Sequence, residues 1–473
     1  MMIKNKIFKI MFIVISIMMI IPSIIYLIQN KTIFGFDIYY NFFINEESNK
    51  ILSTTIYLLL FISITLLYLK MIKTKNLFNS IREILKYVAI IGCIFIVMLP
   101  WTSSDIFYYM GVGELDAVYN QNPYYVTMED YYEQNKENID DEILAQGANN
   151  YWASTTLVYG PIAQVLFKVC SGLSFKNIDL CIVIFKLLNL IIHVVNCYLI
   201  YKISGRKKFA IIYGLNPFIL LEFIGNVHND IIIVFFVLLT LYYLIKKKNI
   251  LVSVLFLALG TGIKYFTVLL LPIIILYHFR KKEKISKKLL ECFKYGLIFI
   301  LIVILEYIPY LKNIDVLLAM LPQLERYSKS IYSVLLMINV DLMKCVKIIF
   351  IMIFMYVYIF SFFEILFKKK NNIFNMLRKY NIIILLSLLI LTNCHPWYLI
   401  WLFATIMWQR VNTIRNIIGF TAITQIANSA YMFNYESYVY DIYYVSIIIC
   451  LFIMWQVFTN RKKVKKIERC YKK

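Results

Sequence analysis

Charged side chains are scarce in this sequence: they make up 16% of the 473 residues, against 61% hydrophobic residues and a mean hydropathy of +0.72. A water-soluble chain carries roughly a quarter charged residues, so soluble multi-domain architectures are excluded. Fourteen glycines and nine prolines exclude collagen-like and low-complexity disordered chains, and no internal repeat is visible. Nine cysteines include no CxxC pair, and the chain has no HExxH, Walker sequence or glycine-rich phosphate loop. Eight of those cysteines lie in or beside apolar runs, so no disulfide framework is expected. Cys394 neighbours His395, but adjacent residues rarely chelate one ion, and neither a metal nor a cofactor is predicted. What the sequence does have is long continuous apolar stretches. Barrel strands would alternate, so these runs specify an all-α, polytopic helical membrane bundle.

Apolar runs lie near residues 7–28, 51–69, 86–101, 179–202, 209–224, 230–245, 250–279, 294–311, 343–367, 381–409, 414–431 and 438–458. Those at 250–279 and 381–409 are long enough for tight hairpins, which gives about 12–14 transmembrane helices. The first run is too long for a signal-peptide core and no small-residue cleavage site follows it, so it is expected to stay as an anchor.

The formal charge of +22 would point to nucleic acid in a soluble protein, but in a membrane protein it reports topology. Basic clusters at 70–86, 202–208, 246–248, 280–294, 368–379, 410–415 and 461–473, with Lys4, Lys6 and Lys9, hold 37 of the 49 Lys and Arg residues. The positive-inside rule assigns them all to the cytoplasmic face, with both termini. Residues 102–155 have the opposite bias, with ten acidic side chains and one basic residue, Lys136. They form the expected large external loop after the third span. The segment 157–174 is read as short or re-entrant, because a full crossing would place Arg206, Lys207 and Lys208 outside. Its Lys168 argues the same way, since a central charge costs roughly 2.5–3.5 kcal/mol on insertion scales. The alternative is that this one basic loop breaks the charge rule.

Polar groups in a bilayer protein are costly unless they line a cavity, and four segments collect them on the external side. In "LPWTSSDIFYYMGVGELDAVYNQNPYYV" (99–126), Ser103 or Ser104 can cap a helix whose first turn holds Asp105. Asp105, Tyr108, Val112 and Leu115 then share one stripe of a surface helix, where desolvation is expected to raise the Asp105 pKa. Such a carboxylate suits a general base or a plain cap, while Glu114 and Asp116 read as solvated. The segment "LNPFILLEFIGNVHNDIIIVF" (215–235) gathers Glu222, Asn226, His228, Asn229 and Asp230 at an external turn, for substrate or phosphate contact or for a hydrogen-bonded hairpin. In "ALGTGIKYFTVLLLP" (258–272), Lys264 is an isolated cation beside Gly262, placed to meet a phosphate or to snorkel. Arg326 and Lys329 are weaker candidates for the same task. Lastly, "TNCHPWYLIWLF" (392–403) sets His395 before a proline, outside regular helix, with Trp397, Tyr398 and Trp401 suited to an interfacial belt or to sugar stacking.

A carboxylate, two histidines and a lone lysine at membrane level suit sugar transfer from a lipid-linked phosphate. Direct displacement at the anomeric carbon needs one base for the acceptor hydroxyl and no covalent nucleophile. Asp105 fits that base, and Lys264 and His228 can stabilise the departing phosphate.

The order "SSDIFYYMGVGELDAVYNQNPYYV", "VYGPI", "LNPFILLEFIGNVHND", "GIKYFTVLLLP" and "HPWYLIW" resembles the polyprenyl-phosphate-mannose-dependent mannosyltransferases of the GT-C superfamily. The closest resemblance is to glycosyltransferase family 87 and the related bacterial alpha-1,6-mannosyltransferases. It covers about residues 85–410. It implies a GT-C-like bundle, an extracytoplasmic active site, an inverting mechanism, a polyprenyl-phosphate hexose donor and a glycan or glycolipid acceptor. It also implies that Asp105 matches the catalytic Asp and His395 the external His that assists it. "GNVHND" and "GIKY" correspond to donor-site elements, so His228, Asp230 and Lys264, with Tyr108, Trp397 and Arg326, are the expected substrate-binding residues. The two spans before residue 85 depart from a pattern in which the Asp loop follows the first helix, and no DxD pair surrounds Asp105.

The expected organisation is therefore two N-terminal helices (1–84), a catalytic module (85–410), and C-terminal helices with a basic tail (411–473). The chain would be multi-pass in the cell membrane, its eight basic residues at 461–473 holding anionic lipid at about 1 kcal/mol each. No nucleic acid is expected as a partner. The rival functions are a flippase or transporter of lipid-linked glycans, a polysaccharide polymerase or ligase, and a non-catalytic scaffold. A transporter would string charges through several helices at different depths, whereas these collect at external turns.

Overall fold

The computed structural model describes residues 2–30, 47–100, 103–280, 284–313, 316, 326–367, 372–429, 441–442 and 444–454. The basic tail at 461–473 lies outside them. The described residues form an all-α membrane protein with no strand; an isolated parallel bridge joins Ser328 to Asn393.

Three helices, α1 (Met2–Asn30), α2 (Glu47–Met71) and α3 (Ile81–Ile96), pack together at the N-terminus. Next comes a layer of shorter helices: α4 (Asp105–Ala117), α5 (Met128–Asn135), α6 (Glu142–Ala148) and α7 (Pro161–Gly172). At twelve residues α7 is about 18 Å long, well short of a ~30 Å hydrocarbon core. The short form expected for 157–174 is thus what folds, and it packs on α4. Glycine makes that contact close. A Cβ on Gly113 would sit 2.5 Å from the Phe167 carbonyl oxygen, and one on Gly111 would sit 2.8 Å from the Cα of Gly147 in α6.

Then follow α8 (Ile178–Ser204), α9 (Lys207–Gly214), a π-helical turn (Leu220–Gly225), α10 (Asp230–Tyr242) and α11 (Ile250–Thr261). A 3-10 segment (Tyr265–Leu270) leads into α12 (Leu271–His278) and α13 (Ile285–Tyr307). The remainder comprises α14 (Ile331–Ile338), α15 (Val340–Phe367), α16 (Ile373–Ile390), a thirteen-residue 3-10 helix (Pro396–Trp408), α17 (Val411–Ser429) and an apolar helix at Tyr444–Met454.

Among the described residues, five helices are long and apolar enough to cross a membrane: Ile3–Ile25, Thr54–Met71, Ile178–Ser204, Val340–Phe367 and Ile373–Ile390. A sixth is obtained if α9 and Pro217–Gly225, bent by 47°, count as one span. Fewer of the expected runs are therefore unbroken crossings than hydropathy implies. The runs at 250–279 and 381–409, read as long enough for hairpins, are broken before Tyr265 and before Pro396, and the run at 209–224 is broken before Pro217; the irregular backbone at these breaks is where the polar segments lie.

Broken helices expose carbonyls that lipid cannot satisfy, and α8 supplies the missing donors. Lys186, Asn189, His193 and Asn196 recur at spacings of three and four and form one buried stripe. Lys186 Nζ donates to the carbonyls of Met98 and Gly225, the latter at 2.9 Å. Asn189 Nδ2 donates to Phe223 O (2.7 Å) and His228 O (3.2 Å), and Asn196 Nδ2 to Ile231 O (3.2 Å). His193 Nε2 lies 3.0 Å from Gly214 O. The stripe holds the whole 214–231 region in its irregular shape.

Candidate active site

Asp105 opens α4, and Ser103 Oγ accepts its backbone N–H at 3.2 Å. Every residue from Ile106 to Asp116 is buried, so α4 is an enclosed helix and not one lying half-bare on a surface. Glu114 and Asp116, read as solvated, are buried with it. Gln164 and Lys168 of α7 reach Asp116 at 3.1 and 2.7 Å, while Glu114 lies against Asp141. The enclosing helices α6 and α7 supply this cover.

Across from Asp105, the π-helical turn ends in an unusual backbone. Asn226 N donates to Leu221 O (2.9 Å), His228 N donates to Glu222 O (3.1 Å), and Val227 has φ +62°. This brings the two polar side chains of the turn together: His228 Nε2 is 3.2 Å from Glu222 Oε2, and Nδ1 is 3.3 Å from Asp105 Oδ2. Tyr109 OH also donates to Asp105 Oδ2, at 3.4 Å. Burial alone would raise the Asp105 pKa, as expected from the sequence. The contact with His228, together with the charges of His228, His395 and Lys264, reverses the sign and holds it at about 2. On His228, burial opposes the charged form but its two carboxylate neighbours prevail, and its pKa is raised.

The 3-10 helix at Pro396–Trp408 eclipses residues three apart, and Tyr398 accordingly stacks on Trp401 (centroids 4.9 Å apart). Trp397 lies between His228 (3.6 Å) and His395 (4.2 Å), nearly parallel to both. Ser328 N donates to Thr392 O (3.1 Å) and Cys394 N to Ser328 O (3.2 Å), a bridge that sets Lys329 Nζ 5.3 Å from the Trp397 ring centre. Burial pushes the Lys329 ammonium down to about 8 against the opposing pull of Asp105, Glu222 and Asp441. Burial, then Lys329, depresses the His395 pKa well below the usual histidine range.

Lys264 follows the turn that ends α11, pinned where Gly160 N donates to Ile263 O (3.3 Å) and Ala163 N to Gly262 O (3.1 Å). Its Nζ pairs with both Asp230 oxygens at 2.9 Å and lies 4.4 Å from the Tyr398 ring centre. Trp401 Nε1 donates to the same Asp230, at 2.8 Å.

These groups surround a cavity of about 210 Å³ lined by Asp105, Tyr108, Tyr159, Lys264, His395 and Tyr398, with Trp152, Phe266 and Trp401 among its aromatic walls. The structure thus brings Asp105, Tyr108, Lys264 and His395, from three separate sequence segments, to the lining of one cavity. The other expected residues stand behind it. His228 and Asp230 are fully buried partners of Asp105 and Lys264, Trp397 is the plate between two histidines, and Arg326 packs 4.6 Å over Trp152. His228 thus occupies the place of a support for Asp105, with both ring nitrogens already facing carboxylates. Glu222, Tyr159 and Trp152 were not singled out as site residues. Glu222 lay in the flagged polar segment, but its tie to His228 depends on the π turn, which periodicity does not report. Among the described residues no group of three or more His, Cys, Asp or Glu side chains is placed to hold a metal.

The model of the alpha-(1->6)-mannopyranosyltransferase family, N-terminal domain, matches residues 15–280. The chain belongs to this family. The matched part of this mannosyltransferase includes Asp105, Glu222, His228, Asp230 and Lys264, and it stops before Arg326 and the 3-10 helix that carries Trp397. No curated protein and no solved structure matches the chain.

Proposed function

We propose that this mannosyltransferase moves a mannose unit from a polyprenyl-phosphate-linked donor to an extracytoplasmic glycan or glycolipid acceptor, with inversion. The observation that carries this reading is the meeting of one carboxylate, one lysine and one histidine on a single aromatic-lined cavity. In the proposed step Asp105 takes the proton of the acceptor hydroxyl. The freed oxygen pair bonds to the anomeric carbon on one face, and the carbon–oxygen bond to the phosphate breaks on the other, its electron pair leaving with the phosphate. Lys264 and His395 are cavity groups able to donate to that phosphate. Trp152, Phe266, Tyr398 and Trp401 give the cavity an aromatic lining suited to a sugar ring. A cavity of about 210 Å³ is below the ~300–1,000 Å³ of drug-sized sites, a size that favours a single sugar unit over a whole glycolipid.

Asp105→Asn in purified full-length protein is expected to lower transfer from radiolabelled polyprenyl-phosphate mannose by about a hundredfold or more, the usual scale for a general base, with donor binding kept. Near-normal turnover would overturn the assignment. Offering glucose and other sugars on the same lipid reads donor choice directly. Uptake of intact donor without sugar transfer would favour the transporter reading instead.

A further inference from the structure

Glu222 is a carboxylate inside the protein, away from the cavity wall, and nothing in direct sugar transfer calls for it. Asn226 Nδ2 donates to its Oε2 at 3.0 Å, and the same oxygen faces His228 Nε2 at 3.2 Å. The other His228 nitrogen faces Asp105 Oδ2 at 3.3 Å. A neutral imidazole has one donor and one acceptor nitrogen. Set between two carboxylates, it would turn a lone pair toward one of them, whereas an imidazolium satisfies both. The ring cannot turn away, because Trp397 is stacked on its face with centroids 3.6 Å apart, and Asn189 Nδ2 holds the His228 carbonyl at 3.2 Å.

We propose that Glu222 is a positioning residue that holds His228 as an imidazolium ion-paired with both carboxylates and, through it, fixes the Asp105 carboxylate for proton acceptance. This rests on the reading of Asp105 as the base. Both the His228 and Tyr109 contacts fall on Asp105 Oδ2, which assigns Oδ1 to the acceptor hydroxyl. Charge explains why a second carboxylate is needed. Asp105 with a cationic His228 alone would be a neutral pair, whereas the trio carries one net negative charge and becomes neutral on receiving the proton. Among the described residues, the other ionisable groups facing this cluster are Lys329 and Lys264, His395 on the far side of Trp397, Tyr57 and Tyr444 near Glu222, and Tyr108, Tyr109, Tyr159 and Tyr398 near Asp105.

The chain has only four histidines, so His228 can be followed in full-length protein labelled with 15N-histidine, its signals assigned by their loss in His228→Gln. The expected result is an imidazolium with both nitrogens protonated through pH 7. Glu222→Gln should lower its titration midpoint by about one pH unit or more, the scale of one lost ion-pair partner, and Glu222→Asp should keep it near the parent. In transfer assays the alkaline limb of kcat should move down with that midpoint in Glu222→Gln, with donor KM within about twofold. A His228 that is neutral at pH 7 in the parent overturns the proposal, as does a midpoint that Glu222→Gln leaves in place or that Glu222→Asp shifts equally. If Glu222→Gln does not fold, the parent and Glu222→Asp titrations decide. The titration needs no donor, so it is independent of the Asp105→Asn result: an inert Asp105→Asn protein with an unmoved His228 rejects Glu222 alone, and an active Asp105→Asn protein rejects the base.

Discussion

At the scale of single residues, pairing decides which charges can serve the cavity. Lys264 is bound by both Asp230 oxygens, and Asp230 is fully buried. Removing one member strands the other, which typically costs about 3–5 kcal/mol in a buried pair. Lys264→Met is therefore expected to lower the thermal unfolding temperature in detergent, and the double change Lys264→Met, Asp230→Asn to recover most of that loss. A double mutant no more stable than Lys264→Met would show the pair to be unimportant. Glu114 gives a different signature. Burial, then the neighbouring Asp141, raises its pKa to about 8, above the ordinary carboxyl value it has when unfolded. The folded state thus binds the extra proton, and stability falls as pH climbs from the ordinary carboxyl range to about 8. Glu114→Gln should flatten that decline, which melting temperatures measured across pH 5 to 9 would reveal.

At the scale of elements, the polar stripe of α8 and the breaks it supports form one unit. Asn189→Leu removes the donors to Phe223 O and His228 O. Unpaired buried carbonyls cost about 1–3 kcal/mol each, so the variant should lose stability and, through displacement of His228, most of its activity. A fully active Asn189→Leu protein would detach the stripe from the site. Elements also show where sequence reasoning reached and where it stopped. Asp105, Lys264 and His395 were legible because an isolated polar group in an apolar chain needs a reason, and a shared cavity is the cheapest one. The 220–225 π turn and the left-handed Val227 were not, because hydrophobic periodicity is blind to a single inserted residue. The sign of the Asp105 shift was missed for the same cause, since His228 reaches it only through that turn. Lys287, Lys288, Glu291 and Lys294 read as a basic loop, yet α13 runs straight through them. All four are good helix formers, and charge alone does not end a helix.

At the scale of the whole molecule, the charge pattern predicts which face the cavity opens on. With the exposed Cys93, Cys345 and Cys450 replaced, Glu137→Cys in the acidic segment should react with a membrane-impermeant maleimide on intact cells. Reaction only after lysis would invert the topology and the proposed side of transfer with it. The all-α bundle itself was legible from composition, because lipid permits few alternatives to helix. The break at Gly262 to Lys264 was legible too, since 250–279 is too long for one span, but the break before Pro217 was not, because 209–224 has the length of a single span.

The order of α8 and the breaks along the chain also bears on how the protein is made. The span with the four polar side chains is synthesised before the 214–231 backbone whose carbonyls all four of them satisfy, with Lys186 also reaching back to Met98, already in place. Each bare carbonyl thus meets a waiting donor on entering the membrane. Moving the stripe to a later helix would preserve every contact in the finished fold and still leave the nascent chain with unpaired backbone in lipid.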